Sequence, residues 1–242
     1  MMRTTVVALA VAGCASGQNY GPADAPAAQS PDAKVFRDGQ IEPQLDAPPQ
    51  MHDAAVVPID APPDACVPVV TELLANPVFD LTPPGTGWQQ TPIDPGYPPI
   101  TSDGPFAAHT APYKVWTGGF AAPNLGQTVT DVVYQDFAVP AATTQLVITG
   151  YYTVGTNEDP AATFPYDTGE LALLQTNGTP IEGVLALSNL TTVGTWTAFS
   201  HTFAGNLSGQ TVRVRMTSSN DDSFATNFFY DTLSVKATHG CP

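Results

Sequence analysis

The chain has 242 residues, of which only 12% are charged, and its acidic residues outnumber its basic residues by 22 to 7, giving a net charge of -15. This balance excludes a nucleic-acid-binding surface, because phosphate recognition needs clustered lysine and arginine side chains. It also disfavours peripheral attachment to anionic lipid, and it is typical of exported proteins whose surface acids keep them soluble.

The first 13 residues predict a signal peptide. Arg3 supplies the positive charge, and residues 4–12 (TTVVALAVA) form an apolar stretch. That stretch is far shorter than the roughly 18–20 residues that span a bilayer. The segment therefore predicts export rather than a transmembrane helix.

The apolar stretch ends in Val11-Ala12-Gly13-Cys14, which resembles a bacterial lipobox. The resemblance implies that Cys14 becomes the lipidated first residue of a mature lipoprotein, which would attach the protein to a membrane through this anchor alone. Ala15 and Ser16 resemble the residues that follow this cysteine in outer-membrane lipoproteins. Ordinary secretory cleavage after Ala12 is the alternative.

Residues 15–65 predict a disordered linker behind Cys14. Nine of these 51 residues are proline, eight are acidic and two are basic, and the motif Asp-Ala-Pro-Pro occurs at 46–49 and again at 60–63. Such a segment cannot bury enough apolar surface to offset the entropy of ordering it. We therefore expect a spacer from 14 to 65 and a folded domain from 66 to 242.

The domain carries two further cysteines, Cys66 just before the first predicted strand and Cys241 just after the last. An even pair in an exported protein predicts a disulfide bond, and the two ends of a domain commonly lie close together. Metal ligation by these cysteines and His239 is the alternative, although the paired spacing of a zinc site is missing.

Short alternating runs, divided by glycine, proline, asparagine and aspartate, predict an all-β domain. In 132–139 the apolar Val133, Phe137 and Val139 share one face, and in the last strand Phe229, Leu233 and Val235 are expected to do the same. The predicted strands are 132–139, 145–154, 170–175, 195–203, 211–217 and 228–236. Turns are predicted at Asn177-Gly178 and Gly209-Gln210.

Four segments, in the same order, resemble those of carbohydrate-binding-module jelly rolls with a galactose-binding-like fold. They are residues 74–80 (LANPVFD) with Gly87-Trp88; residues 134–140 (YQDFAVP); the stretch of Leu187-Ser188-Asn189, Gly194-Thr195-Trp196 and 209–213 (GQTVR); and residues 228–235 (FFYDTLSV). The resemblance covers nearly all of 70–236. It implies a β-sandwich of about eight or nine antiparallel strands.

The same resemblance implies a structural Ca²⁺ between the first and last strands. The matching positions are Asp80 and Asp231, and calcium prefers oxygen ligands of this kind. Thr232 follows where the family has a second aspartate. The alternative for Asp231 is a carboxylate that accepts hydrogen bonds from backbone amides.

Glycan recognition requires an aromatic platform beside polar side chains. Tyr113, Trp116 and Tyr166 are the candidates, and Tyr97 and Phe224 also lie in or beside predicted loops. Burial in the core is the commoner fate of such rings.

Signs of catalysis are weak. The four histidines are scattered, and the motifs H-E-x-x-H, G-x-S-x-G and the P-loop are missing. No pair of carboxylates is predicted to face one cleft as glycoside hydrolysis requires. The acidic pairs Glu158-Asp159 and Asp221-Asp222 are predicted to hydrate loops. We therefore expect a non-enzymatic surface lipoprotein that recognises a glycan or cell-surface polysaccharide; a structural or protein-interaction sandwich without a glycan pocket is the alternative.

Overall fold

A computed structural model describes residues 66–123, 126–191 and 194–240, all within one unit that spans Ile59–Pro242. The described residues form strands and turns but no helix, so none of them forms a helix able to cross a membrane. The eleven strands are β1 (Val69–Glu72), β2 (Gln89–Thr91), β3 (Ile100–Thr101), β4 (Lys114–Gly118), β5 (Val132–Ala138), β6 (Gln145–Thr156), β7 (Thr168–Gln175), β8 (Pro180–Ser188), β9 (Thr197–Thr202), β10 (Thr211–Ser219) and β11 (Thr226–His239).

The strands form two antiparallel sheets. The first has the order β3-β4-β11-β6-β9, and β1 pairs with the second half of β11 beyond the end of β4; the second has the order β2-β5-β10-β7-β8. Facing side chains of both sheets build one core, with Phe228 and Tyr230 from the first sheet and Val214 and Met216 from the second. The predicted all-β sandwich is confirmed.

All six predicted strands are present. In β5 the alternation also predicts the buried face correctly, since Val133 and Phe137 are buried and Asp136 is exposed. The structure adds five strands, so the expected eight or nine become eleven. Four of the five hold two to five residues, too few for alternation to show, and β8 begins at a proline. The predicted turns are confirmed, since Gly178 and Gly209 have φ of 91° and 74°.

One predicted face is wrong. A β-bulge shifts the register of β11 between Asp231 and Ser234, and Thr232 adopts a left-handed φ of 51°. The extra residue changes which side chains face inward. Leu233 and Val235 therefore join the core, whereas Phe229, on the near side of the bulge, points to the outer face of its sheet.

Several predictions fall outside the described residues: the signal peptide, the lipidated Cys14, the linker over 15–65 and Cys241. The structure describes Cys66, whose Sγ lies 3.2 Å from the carbonyl oxygen of Gly240. Pairing of β1 with β11, with Val69 opposite His239, brings the two ends of the domain together. The disulfide stays a prediction.

Candidate functional site

An aromatic cleft opens at the edge of the first sheet, between the β2–β3 loop (92–99) and β4. It encloses about 110 Å³, which is smaller than the roughly 300–1,000 Å³ of typical small-ligand sites. Nine residues line it: Gly96, Tyr97, Pro98, Thr101, Asp103, Trp116, Gly118, Phe120 and Asp131. Three of these are aromatic and two are acidic.

Tyr97 is the exposed ring of the cleft. Its residue is 63% accessible to solvent, and its ring centre lies 5.8 Å from that of the half-buried Phe120. A turn holds it in place, because the Tyr97 amide donates to the carbonyl of Asp94 at 2.9 Å. Prolines on both sides, Pro95 and Pro98, restrict the backbone of this loop.

Trp116 forms the wall of the cleft rather than a free platform. Its indole Nε1 donates to Asn227 Oδ1 at 2.8 Å, and its ring stacks on Phe229 with centres 5.8 Å apart. Two glycines lie against the ring. A β-carbon added at Gly104 would lie 2.9 Å from the Trp116 ring, and one added at Gly119 would lie 3.0 Å from it. Trp116 is therefore fixed by packing.

Asp131 ties the two sides of the cleft together. It is almost fully buried, and its carboxylate accepts hydrogen bonds from the amides of Ile93 at 2.6 Å and Gly118 at 2.8 Å. Burial raises the pKa of Asp131, and those two amides partly offset the rise. Asp103, by contrast, is exposed at the cleft and offers a hydrogen-bond acceptor to a ligand.

Beside the cleft, the β3–β4 loop (102–113) covers the outer face of the first sheet. Phe106 packs edge-on against Phe229, with ring centres 5.1 Å apart. Lys114 is fully buried beneath this loop and donates to the carbonyl of Asp103 at 2.5 Å. Burial lowers the pKa of Lys114, and the charges of Asp103 and Asp231 partly offset this.

The three predicted ligand-binding rings have different surroundings. Trp116 lines the cleft, Tyr113 packs half-buried against the core, and Tyr166 is half-exposed beside Phe164 in the β6–β7 loop. Neither Tyr113 nor Tyr166 lines the cleft. The ring that joins Trp116 is Tyr97, which the sequence placed only among loop aromatics; its proline-flanked position was the one available signal.

The two predicted calcium ligands also lie in defined places. Asp231 is fully buried, and its two carboxylate oxygens accept from the amides of Thr110 at 2.8 Å and Thr232 at 2.6 Å, as the alternative for this residue predicted. Asp80 has a buried Oδ1 that no hydrogen bond in the described structure satisfies. A shared calcium ion stays a prediction.

No known protein family matches the chain, and no curated protein matches it. Several solved structures are similar in fold. The carbohydrate-binding module TmCBM61, in complex with β-1,4-galactotriose, is 13% identical, with 68% of this chain and 97% of that one covered and a TM-score of 0.43.

The CBM22-1 xylan-binding domain of Paenibacillus barcinonensis Xyn10C is 12% identical, with coverage of 73% and 98% and a TM-score of 0.39. A cyclase from Fischerella sp. is 16% identical, with coverage of 72% and 98% and a TM-score of 0.44. The structures similar to this chain thus include carbohydrate-binding modules and a cyclase.

Proposed function

We propose that this domain binds a carbohydrate without transforming it, in the cleft between the β2–β3 loop and β4. The observation that carries the proposal is the combination of an exposed ring, Tyr97, with a fixed aromatic wall, Trp116, and the exposed carboxylate of Asp103. The C–H face of a sugar ring stacks on an aromatic side chain, and its hydroxyl groups donate to a carboxylate. Apolar walls with a few placed polar groups are typical of small-ligand sites.

The carboxylates of the cleft favour binding over hydrolysis. Glycoside hydrolysis needs two carboxyl groups that face the scissile bond, one of them as a proton donor. The carboxylate of Asp131 accepts hydrogen bonds from the backbone amides of Ile93 and Gly118. Of the two acids that line this cleft, Asp103 alone is therefore available to a ligand. One free carboxylate can orient a sugar but cannot complete that pair.

The test is the change Tyr97→Ala in the full chain. We expect it to weaken glycan binding about tenfold or more, because a stacked sugar loses its main apolar contact. Binding is measured by calorimetry with β-1,4-galactotriose and xylohexaose, the sugars held by structural neighbours of this chain, and by a glycan array.

Tyr166→Ala is the matched control, because it removes an exposed tyrosine that does not line the cleft. Equal losses in both variants would place the site elsewhere. A wild-type protein that binds no sugar on the array would contradict the proposal and favour the protein-interaction alternative.

The proposal includes display of the domain from a membrane by lipid on Cys14, which the lipobox-like Val11-Ala12-Gly13-Cys14 supports. Several acyl chains on one residue suffice for stable anchoring. The native protein should partition into detergent, and Cys14→Ser should release it into the aqueous phase. A Cys14→Ser protein that still partitions into detergent would contradict this anchor.

A further inference from the structure

Three carboxylates from separate parts of the chain meet at one end of the sandwich. Glu158 lies in the β6–β7 loop (157–167), Asp167 directly precedes β7, and Asp221 follows β10 in the turn that leads to β11. One carboxylate oxygen from each lies within 4.8 Å of the others. None of the three lines the carbohydrate cleft.

Within the described part of the chain, no basic side chain forms an ion pair with this cluster. The ion pairs among residues 66–123, 126–191 and 194–240 join His201 to Glu182, Arg213 to Asp136 and Arg215 to Glu170, and none involves the cluster. Three negative charges this close repel one another strongly, the more so where water is partly excluded.

Asp167 provides a second, independent observation. Its side chain is fully buried, and although Oδ1 accepts from the Asp221 amide at 2.8 Å, its Oδ2 has no hydrogen-bond partner among the residues described. The amide and hydroxyl of Thr226 lie close enough to lower the pKa of Asp167 against the effect of burial, and that hydroxyl also pairs with the hydroxyl of Thr156 at 2.9 Å. A buried carboxylate oxygen without a partner is costly, and a bound ion or water would satisfy it.

The remaining hydrogen bonds do not relieve the repulsion. The Ser223 hydroxyl lies 3.2 Å from Glu158 Oε1 and 2.7 Å from Asp221 Oδ1, but its single proton can serve only one carboxylate at a time. Burial raises the pKa of Asp167 and of Glu158, and the neighbouring charges of Asp167 and Asp221 raise that of Glu158 further.

We propose that Glu158, Asp167 and Asp221 bind a calcium ion. Calcium takes six to eight oxygen ligands and accepts carboxylates together with carbonyl oxygens and water in flexible geometry. The three carboxylates supply the charged ligands, and water completes the shell because Glu158 and Asp221 are partly exposed. The ion would fix the β6–β7 loop to the β10–β11 turn, and these carry the exposed rings of Phe164, Tyr166 and Phe224.

The experiment uses the full chain, freed of metal with a chelator and titrated with calcium chloride. We expect binding with a stoichiometry of one at Glu158, Asp167 and Asp221, and a melting temperature that rises with calcium because the ion binds only the native state. Glu158→Gln and Asp221→Asn should each weaken calcium binding about tenfold or more, since the charge of the ligands sets the affinity. Both variants should melt no lower than wild type in chelator, because each removes repulsion while conserving shape.

Asp159→Asn is the matched control, as it removes the same charge from the neighbouring residue, whose carboxylate instead accepts from the Ala161 amide. It should bind calcium as wild type does. Failure of wild type to bind calcium at about 1 mM would overturn the proposal, and so would equal losses in Asp159→Asn and Glu158→Gln. A calcium response lost in Asp231→Asn and kept in Glu158→Gln would also overturn it and assign the ion to Asp80 and Asp231.

Discussion

The β3–β4 loop buries ionisable side chains at the outer face of the first sheet and thereby shifts their pKa values. Burial raises the pKa of Asp231 to about 6, against the amides of Thr110 and Thr232 that favour its ionised form. Asp231 in turn opposes the lowering of the pKa of Lys114. His109, whose imidazole stacks on Tyr151 with ring centres 3.6 Å apart, acts on Asp231 through its backbone and its charge, and both lower the pKa of Asp231. The folded protein therefore favours the protonated form of Asp231 more than water does.

Asp231 should make the free energy of unfolding depend on pH. Because the folded chain binds this proton more tightly than the unfolded chain, the resulting stabilisation is complete below about pH 4 and is lost as the pH rises to about 6. Asp231→Asn cannot ionise, so its stability relative to wild type should rise by up to about 3 kcal/mol between pH 4 and pH 7. Urea unfolding at each pH measures this.

The control is Asp222→Asn, which alters a partly exposed carboxylate that accepts from the Gly126 amide. It should leave the pH profile of wild type unchanged. A constant difference between Asp231→Asn and wild type from pH 4 to pH 7 would show that Asp231 ionises normally in the folded protein.

At the scale of elements, the two sheets approach closely where β7 faces β11. A β-carbon at Gly169 would lie 2.5 Å from the ring of Phe228, a fully buried core residue. Glycine is therefore required in β7 by the packing of the sheets rather than by its backbone conformation. Gly183, in the neighbouring β8, has open space around its α-carbon.

Gly169→Ala should lower the free energy of unfolding by about 1–3 kcal/mol, since overpacking a core forces side chains or strands to shift. Gly183→Ala changes the same atoms in a strand of the same sheet, and it should be neutral or slightly stabilising. Thermal or urea unfolding of both variants checks the pair. Equal stabilities would mean that the sheets are more loosely packed at Phe228 than described.

The bulge in β11 is the second element-scale feature that shapes the site. By shifting the register after Asp231 it allows one strand to send Leu233 and Val235 into the core and Phe229 outward. Phe229 then supports Trp116, the wall of the cleft. The cleft thus depends on an irregularity in the longest strand of the sandwich.

At the scale of the whole molecule, the two ends of the domain meet. Cys66 Sγ lies 3.2 Å from the carbonyl oxygen of Gly240, and the predicted partner, Cys241, follows that glycine in the chain. A bond between them would close a loop that contains nearly every described residue, and long loops gain most in the chain-entropy account. It would also secure β1, a short strand whose exposed Val69 and Val70 bury little surface.

Protein taken from an oxidising compartment should contain no free thiol at Cys66 or Cys241, and reduction should lower its melting temperature by an amount equivalent to about 2–5 kcal/mol. A thiol assay under denaturing conditions and melting curves with and without reductant provide the measurement. The Cys66→Ser/Cys241→Ser variant should melt like the reduced wild type and should not respond to reductant. Two reactive thiols in protein taken from the oxidising compartment would contradict the pairing.

The fold class can be predicted from the sequence. Alternation in 132–139 and 211–217, together with the Asn177-Gly178 turn, predicts strands because side chains of a half-buried strand repeat every two residues. The motif that contains Tyr134 and Gln135 is predicted to be a strand and lies in β5. The structure shows why a glutamine stands at position 135. The buried amide of Gln135 accepts from the Ala75 amide and donates to the carbonyl oxygens of Ala75 and Gly87.

The side chains that form the sites are brought together by tertiary contacts and cannot be predicted from local sequence. Tyr97 and Trp116 are 19 positions apart in the sequence, and no local pattern shows that a loop and a strand will enclose one cleft. From the sequence, Glu158 and Asp221 are each predicted to hydrate a loop. Their neighbours in the sequence do not indicate that carboxylates from other parts of the chain lie close by. The bulge at Thr232 broke the period of two on which the face of Phe229 was predicted. Local periodicity encodes strands, whereas sites arise from contacts between strands and loops that the packing of two sheets brings together.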